Sequence, residues 1–198
     1  MRRRSGAVVG LAMFWALAAC AGSSSGSSGP SDSIVSNDSS DSTTAVDTLA
    51  PLDAGIVPEG FATITAHLTE PDGSSCTRCL LLADTPALRS QGLMGVTSLG
   101  GYDGMAFRYA DPVLSRFWMK DTLIPLDIAF YARQEGDGLT RLARFEMEPC
   151  AAESCPTTGP DEPFVLAVET ERGRAEALGF TSTARLELIE EPCELGPG

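Results

Sequence analysis

Residues 61–68, FATITAHL, set Ile64, Ala66 and Leu68 against Thr63, Thr65 and His67, and this two-residue period is the signature of a half-buried strand. The period returns in GMAFRY (104–109), where Met105, Phe107 and Tyr109 alternate, and in TARLELIE (183–190), with Ala184, Leu186 and Leu188 turned inward. Between these stretches lie LLLA (80–83), the nearly all-apolar LDIAFY (126–131), residues 139–147 and FVLAVE (164–169). Turn residues separate them: Pro71-Asp72-Gly73, Gly100-Gly101, and a hairpin-type connection from Gln134 to Gly138. Two short helices are expected. One starts with Thr85 as N-cap and Pro86 as first helical residue and stops near Gly92; the other lies around Ala175 to Leu178. About seven strands with no βαβ repeat predict a single β-rich α+β domain. Its mixed or antiparallel sheet curls into a partial barrel, with the two helices covering the ends. The alternative is an open α+β sandwich.

The amino terminus has its own logic. Arg2, Arg3 and Arg4 precede an apolar run from Ala7 to Leu17 that is too short to span a membrane as a mature helix, so residues 1–19 read as a secretory signal peptide. Leu17-Ala18-Ala19 leading into Cys20 resembles the lipobox of bacterial lipoproteins. That resemblance implies cleavage before Cys20 and acylation of the new terminal cysteine, and several acyl chains exceed the two-signal threshold for stable anchoring. From 20 to 59 the chain is rich in serine, glycine and aspartate, with apolar residues too scattered to form a face, and reads as a disordered tether. A coil of this length holds the globular part about 35 Å from the bilayer on average. The globular domain is expected over 60–191, followed by a tail at 192–198. The expected location is the bacterial cell envelope, lipid-anchored on the extracytoplasmic side of a membrane.

Cleavage removes three arginines and no acids, taking the formal charge from −13 to −16. Such a chain is repelled by nucleic acid and by anionic headgroups, so nucleic acid is not an expected partner, and the membrane is met through the lipid anchor alone.

With Cys20 acylated, Cys76, Cys79, Cys150, Cys155 and Cys193 remain in a compartment where disulfides persist. Cys150 and Cys155 bracket a short loop flanked by Pro149 and Pro156, and a local bridge between them is expected. Cys76 and Cys79 either bridge each other, or one of them holds Cys193 and staples the carboxyl-terminal tail. The C-x-x-C spacing invites a redox reading, but PDGSSCTRC reads as a turn between strands rather than the head of a helix. Zinc is disfavoured because His67 is the only histidine and no second ligand pair has finger spacing.

Five ordered blocks, ADTPALRSQGLMG, YDGMAFRY, FWMKDTLIPLDIAF, MEPCAAESCP and FVLAVETERG, resemble the secreted bacterial family known as domain of unknown function 192. The resemblance covers nearly all of 60–190. It implies a compact β-rich fold, often on an exported or lipid-anchored chain, and it implies no activity. The chain departs from the family pattern in three places. Leu88 stands where an acid is usual, Asp121 where asparagine is frequent, and Ser182-Thr183 in place of a Gly-Asp pair.

Within these blocks Lys120 is the single lysine of a chain with thirteen arginines, beside Trp118, Asp121 and Thr122. Asp127 interrupts an apolar strand, where a carboxylate must be paired or face a cavity. Arg89 and Met94 flank the expected helix end. These seven residues, Arg89, Met94, Trp118, Lys120, Asp121, Thr122 and Asp127, are the candidate pocket. The competing reading is a structural network in which Arg89 or backbone donors satisfy Asp127. Met94, Met105, Met119 and Met147 could offer thioethers to Cu(I), although methionine also fills irregular gaps in small cores. No catalytic set is recognisable: there is no Ser-His-Asp group, no cysteine with a histidine partner and no phosphate loop. The function read from the sequence is a membrane-anchored, extracytoplasmic binding or accessory module with a small pocket, without cofactor or metal. Its partner would be an unknown small ligand or envelope protein. The alternatives are a Cu(I)-handling protein and a hydrolase using Lys120 with Asp121 or Asp127 in acid-base chemistry.

Overall fold

The computed structural model describes residues 58–134 and 138–195. The signal peptide, Cys20 and nearly all of the tether therefore lie outside the described residues. Among the described residues no helix is long and apolar enough to cross a membrane.

The alternating stretches form strands in chain order: β1 (Ala62–Thr69), β2 (Ser75–Ala83), β3 (Gly104–Val113), β4 (Phe117–Trp118), β5 (Leu126–Arg133), β6 (Leu139–Met147), β7 (Thr157–Thr158), β8 (Phe164–Glu171) and β9 (Arg185–Ile189). One helix, α1 (Pro86–Gln91), lies between β2 and β3. Seven of the strands close a barrel in the order β1-β2-β3-β8-β5-β6-β9. All neighbours are antiparallel except β2 and β3, which run parallel and need the crossover that α1 supplies. β4 and β7 form a separate two-stranded ribbon.

The structure corrects two expectations. The barrel is closed rather than partial, because β9 pairs with both β1, over Thr65↔Ile189 to Thr69↔Arg185, and β6, at Leu139↔Leu186. Alternation reveals that β9 has an inward face but not that both its edges are paired. Residues 175–178 form a turn, not a helix: Leu178 N–H donates to Arg174, Phe180 N–H reaches back to Ala175, and Gly173 and Gly179 bracket the segment at φ 74° and 88°.

Two apolar clusters follow from the pleat. Ile64, Ala66 and Leu68 of β1, Leu80 and Leu82 of β2, Ala106 of β3, Tyr131 of β5, Leu166 and Val168 of β8 and Leu186 of β9 fill the barrel interior, with Phe180 packed among them. The intervening residues Leu81, Met105, Phe107, Ile128, Phe130 and Phe164 face outward, where α1, the 93–99 segment and the β4 region cover them. β2, β5 and β8 are thus buried on both faces, which is why they read as continuous apolar runs. A bulge between Phe130 and Tyr131 against β6 helps the sheet to curve.

Two bridges tie the loops down. Cys79 is joined to Cys193, which holds the end of the chain against β2, and Cys150 is joined to Cys155. No described cysteine is free.

Candidate functional site

A cleft of about 410 Å³ opens on the outer face of the barrel between α1 and β4. Its first wall is α1. Thr85 accepts the N–H of Leu88 and Pro86 sits in the first turn, where its missing N–H costs nothing. Arg89 then fastens the helix: its Nη1 donates to the carbonyls of Asp84 (2.6 Å) and Arg108 (2.8 Å), and its guanidinium lies 4.6 Å over the Tyr109 ring. Gly92 ends the helix at φ 47°, leading to Leu93 and Met94 at the cleft edge.

The opposite wall is β4. Phe117 points in and meets Phe107 edge-on at 5.0 Å and Phe130 at 5.5 Å, so strand alternation turns Trp118 outward, 51% exposed and still lining the cleft. Arg116 holds this wall by donating to Gly159 O (2.6 Å) and Asp161 (2.9 Å). Gly159 is required there, because a Cβ would lie 2.8 Å from Ser115 O.

Thr122 closes one end through a bridge to Met94. The backbone behind it is set by Asp121, whose φ is 56°. Asp121 N–H donates to Cys150 O and its carbonyl accepts from Gly95 N, while Cys150 N–H donates to Met119 O. The Cys150–Cys155 loop therefore backs the cleft wall.

At the base lies Glu169. β8 sends Val168 into the barrel and Glu169 to the outer face, between Met105 on β3 and Ile128 on β5. The residue is 5% exposed, and its side chain makes no hydrogen bond or ion pair among the described residues. Burial without a compensating partner pushes its carboxyl up to about 8, so at neutral pH it carries a proton. Burial also raises the Tyr109 phenol, against the lowering influence of a Ser115 hydrogen bond and the Arg89 charge.

Four of the seven residues expected from the sequence meet at this cleft: Arg89, Met94, Trp118 and Thr122. The other three lie elsewhere. Lys120 Nζ pairs with Asp121 at 3.2 Å on a partly exposed rim. Asp127, 1% exposed, accepts from Arg144 Nη1 (3.0 Å) and Gly173 N (2.9 Å). Its partners are thus Arg144 and a backbone amide, and not Arg89. Met105, Met119 and Met147 are buried in the outer-face apolar cluster, which leaves Met94 as the one thioether of the four beside the cleft. Among the described residues no group of three or more histidine, cysteine, aspartate or glutamate side chains is arranged to hold a metal. Sequence reasoning missed Glu169, Tyr109 and Phe117. The available signal was an acid continuing the apolar FVLAVE run at an outward-facing position.

The pattern of the family described as "Uncharacterized ACR", DUF192, matches residues 68–188. The chain belongs to this family. No curated protein matches it. Two solved structures resemble this DUF192 domain. One is a proposed transcription regulator from Sinorhizobium meliloti 1021, with 28% identity and a TM-score of 0.55, covering 66% of this chain and 97% of that one. The other is a protein of unknown function from Novosphingobium aromaticivorans DSM 12444, with 27% identity and a TM-score of 0.51, covering 75% of this chain and 99% of that one.

Proposed function

We propose that the cleft between α1 and β4 is a ligand site and that this DUF192 domain is a binding or accessory module, held by an acylated Cys20 at the extracytoplasmic side of the cell envelope. The observation that carries the ligand reading is Glu169, a buried carboxyl with no partner beneath walls that include Phe107, Phe117 and Trp118. Burying a polar group unpaired costs free energy, and a small molecule that supplies the missing hydrogen bond removes that cost. The cleft also sets these aromatic rings beside polar side chains, Ser90, Gln91, Ser115 and Thr122 among them, and placed polar groups are what orient a ligand in a small-molecule site. The Cys79–Cys193 and Cys150–Cys155 disulfides suit an oxidising compartment. The formal charge of −13 disfavours a nucleic-acid role, whatever the Sinorhizobium relative does. The acid-base alternative has less support, since Lys120 and Asp121 neutralise each other away from the cleft.

The test is native mass spectrometry of the full chain extracted from membranes in mild detergent. A small-molecule adduct is expected on the unmodified protein and should be lost from Trp118→Ala. Polypeptide and acyl mass alone, in both proteins, would reject the ligand site; recovery of the protein without acyl mass would reject the anchor.

A further inference from the structure

Three charged or ionisable side chains besides tyrosine line the cleft: Arg89, Arg116 and Glu169. The arginines are already engaged. Arg89 Nη1 is divided between two carbonyls and its plane rests on Tyr109, so it is held at the wall, while its Nε and Nη2 make no hydrogen bond among the described residues. Arg116 is tied to Gly159 and Asp161. Neither forms an ion pair with Glu169, and β3 and β5 flank that carboxyl with Met105 and Ile128.

An organic cation entering this space would meet the Arg89 charge, which no carboxylate among the described residues neutralises, and an acid that must first lose its proton, while Arg116 is already paired with Asp161. A ligand oxygen meets the reverse: a proton ready to be donated and a guanidinium with free N–H groups. We propose that the cleft takes a small organic carboxylate with an apolar body, its oxygens shared between the Glu169 carboxyl as donor and Arg89, and its body against Phe107, Phe117 and Trp118. This rests on the ligand-site reading above. The raised Glu169 value supports it, because the acid is already in its donating form at neutral pH. The remaining groups around the site carry no charge that would reverse the preference: Met94 and Thr122 at one end, and Tyr109, whose phenol burial keeps neutral.

Calorimetric titration of the full chain with benzoate, and with benzylamine as its cationic counterpart, tests the assignment at pH values on either side of about 8. Benzoate is expected to bind below that pH and to weaken about tenfold for each further unit above it, because each unit removes tenfold of the protonated acid. Glu169→Gln keeps a donor in place, so it should retain benzoate binding and lose this pH dependence, whereas a purely structural Glu169 would leave the profile unchanged in shape. No benzoate binding to the native chain, or binding indifferent to pH across this range, overturns the proposal. Benzylamine binding instead, abolished by Trp118→Ala, overturns the carboxylate assignment while the ligand site stands. Silence from both probes together with no adduct in the mass spectrum removes both.

Discussion

A single carboxyl on the outer face of β8 gives the whole domain an unusual response to pH. Unfolded, Glu169 ionises near its ordinary 4.5; folded, it holds its proton to about 8. Between those values the unfolded chain binds fewer protons than the folded one, so this residue makes stability fall as pH rises from about 4.5 to about 8, after which its effect is constant. The loss amounts to at most about 5 kcal/mol at about 1.4 kcal/mol per unit. Glu169→Gln should remove it. Denaturant midpoints of the variant and the native chain, compared at the two ends of that range, should converge at low pH and separate at high pH, with the variant more stable. Parallel curves would show that Glu169 is solvated or paired. Asp121 is a different case, although the sequence presents it just as prominently. Its φ of 56° is a conformation that aspartate and asparagine tolerate better than most residues. Asp121 therefore answers a backbone requirement, with no need to invoke ligand chemistry.

Elements differ in how plainly the chain announces them. β1, β3 and β9 showed the period of two, and α1 carried its cap and its proline, because these signals come from neighbours within a few residues. The β4–β7 ribbon is two residues on each side, too short to show any period, and depends on Arg116 reaching Gly159 from another part of the chain. The same limit hid half of the site. β5 and β8 are covered on both faces, so an apolar run conceals which residues look outward, and it hid both that Glu169 is left without a partner among the described residues and which groups hold Asp127. Asp127 was legible as a carboxylate that needs satisfying. Which group satisfies it was not, since Arg144 comes from β6 and Gly173 from the turn after β8. That carboxylate joins three elements. Asp127→Ala should cost about 3 kcal/mol in chemical denaturation, the range for breaking a buried pair by removing one partner. A midpoint within error of the native one would mean that water replaces the carboxylate without penalty.

At the scale of the molecule, the bridges described above do different work. Cys79–Cys193 spans 114 residues and Cys150–Cys155 spans 5. Loop-closure entropy grows with the span, so Cys193→Ser should lower global stability by about 2 to 5 kcal/mol, read from thermal or denaturant unfolding under non-reducing conditions. Cys155→Ser should cost less globally, and it should loosen the cleft wall that Cys150 holds through Asp121 and Met119. Equal losses from the two would contradict this division. Closure of the barrel by its first and last strands has a consequence for how the chain acquires its structure. β1 cannot find β9 until residues 185–189 exist, and until then β1 and β6 both present unpaired edges. Such distant pairings place the domain among slow, high-contact-order folders. A nascent chain is thus committed to remaining incomplete, with two edges open to a neighbouring chain, until residues 185–189 have emerged.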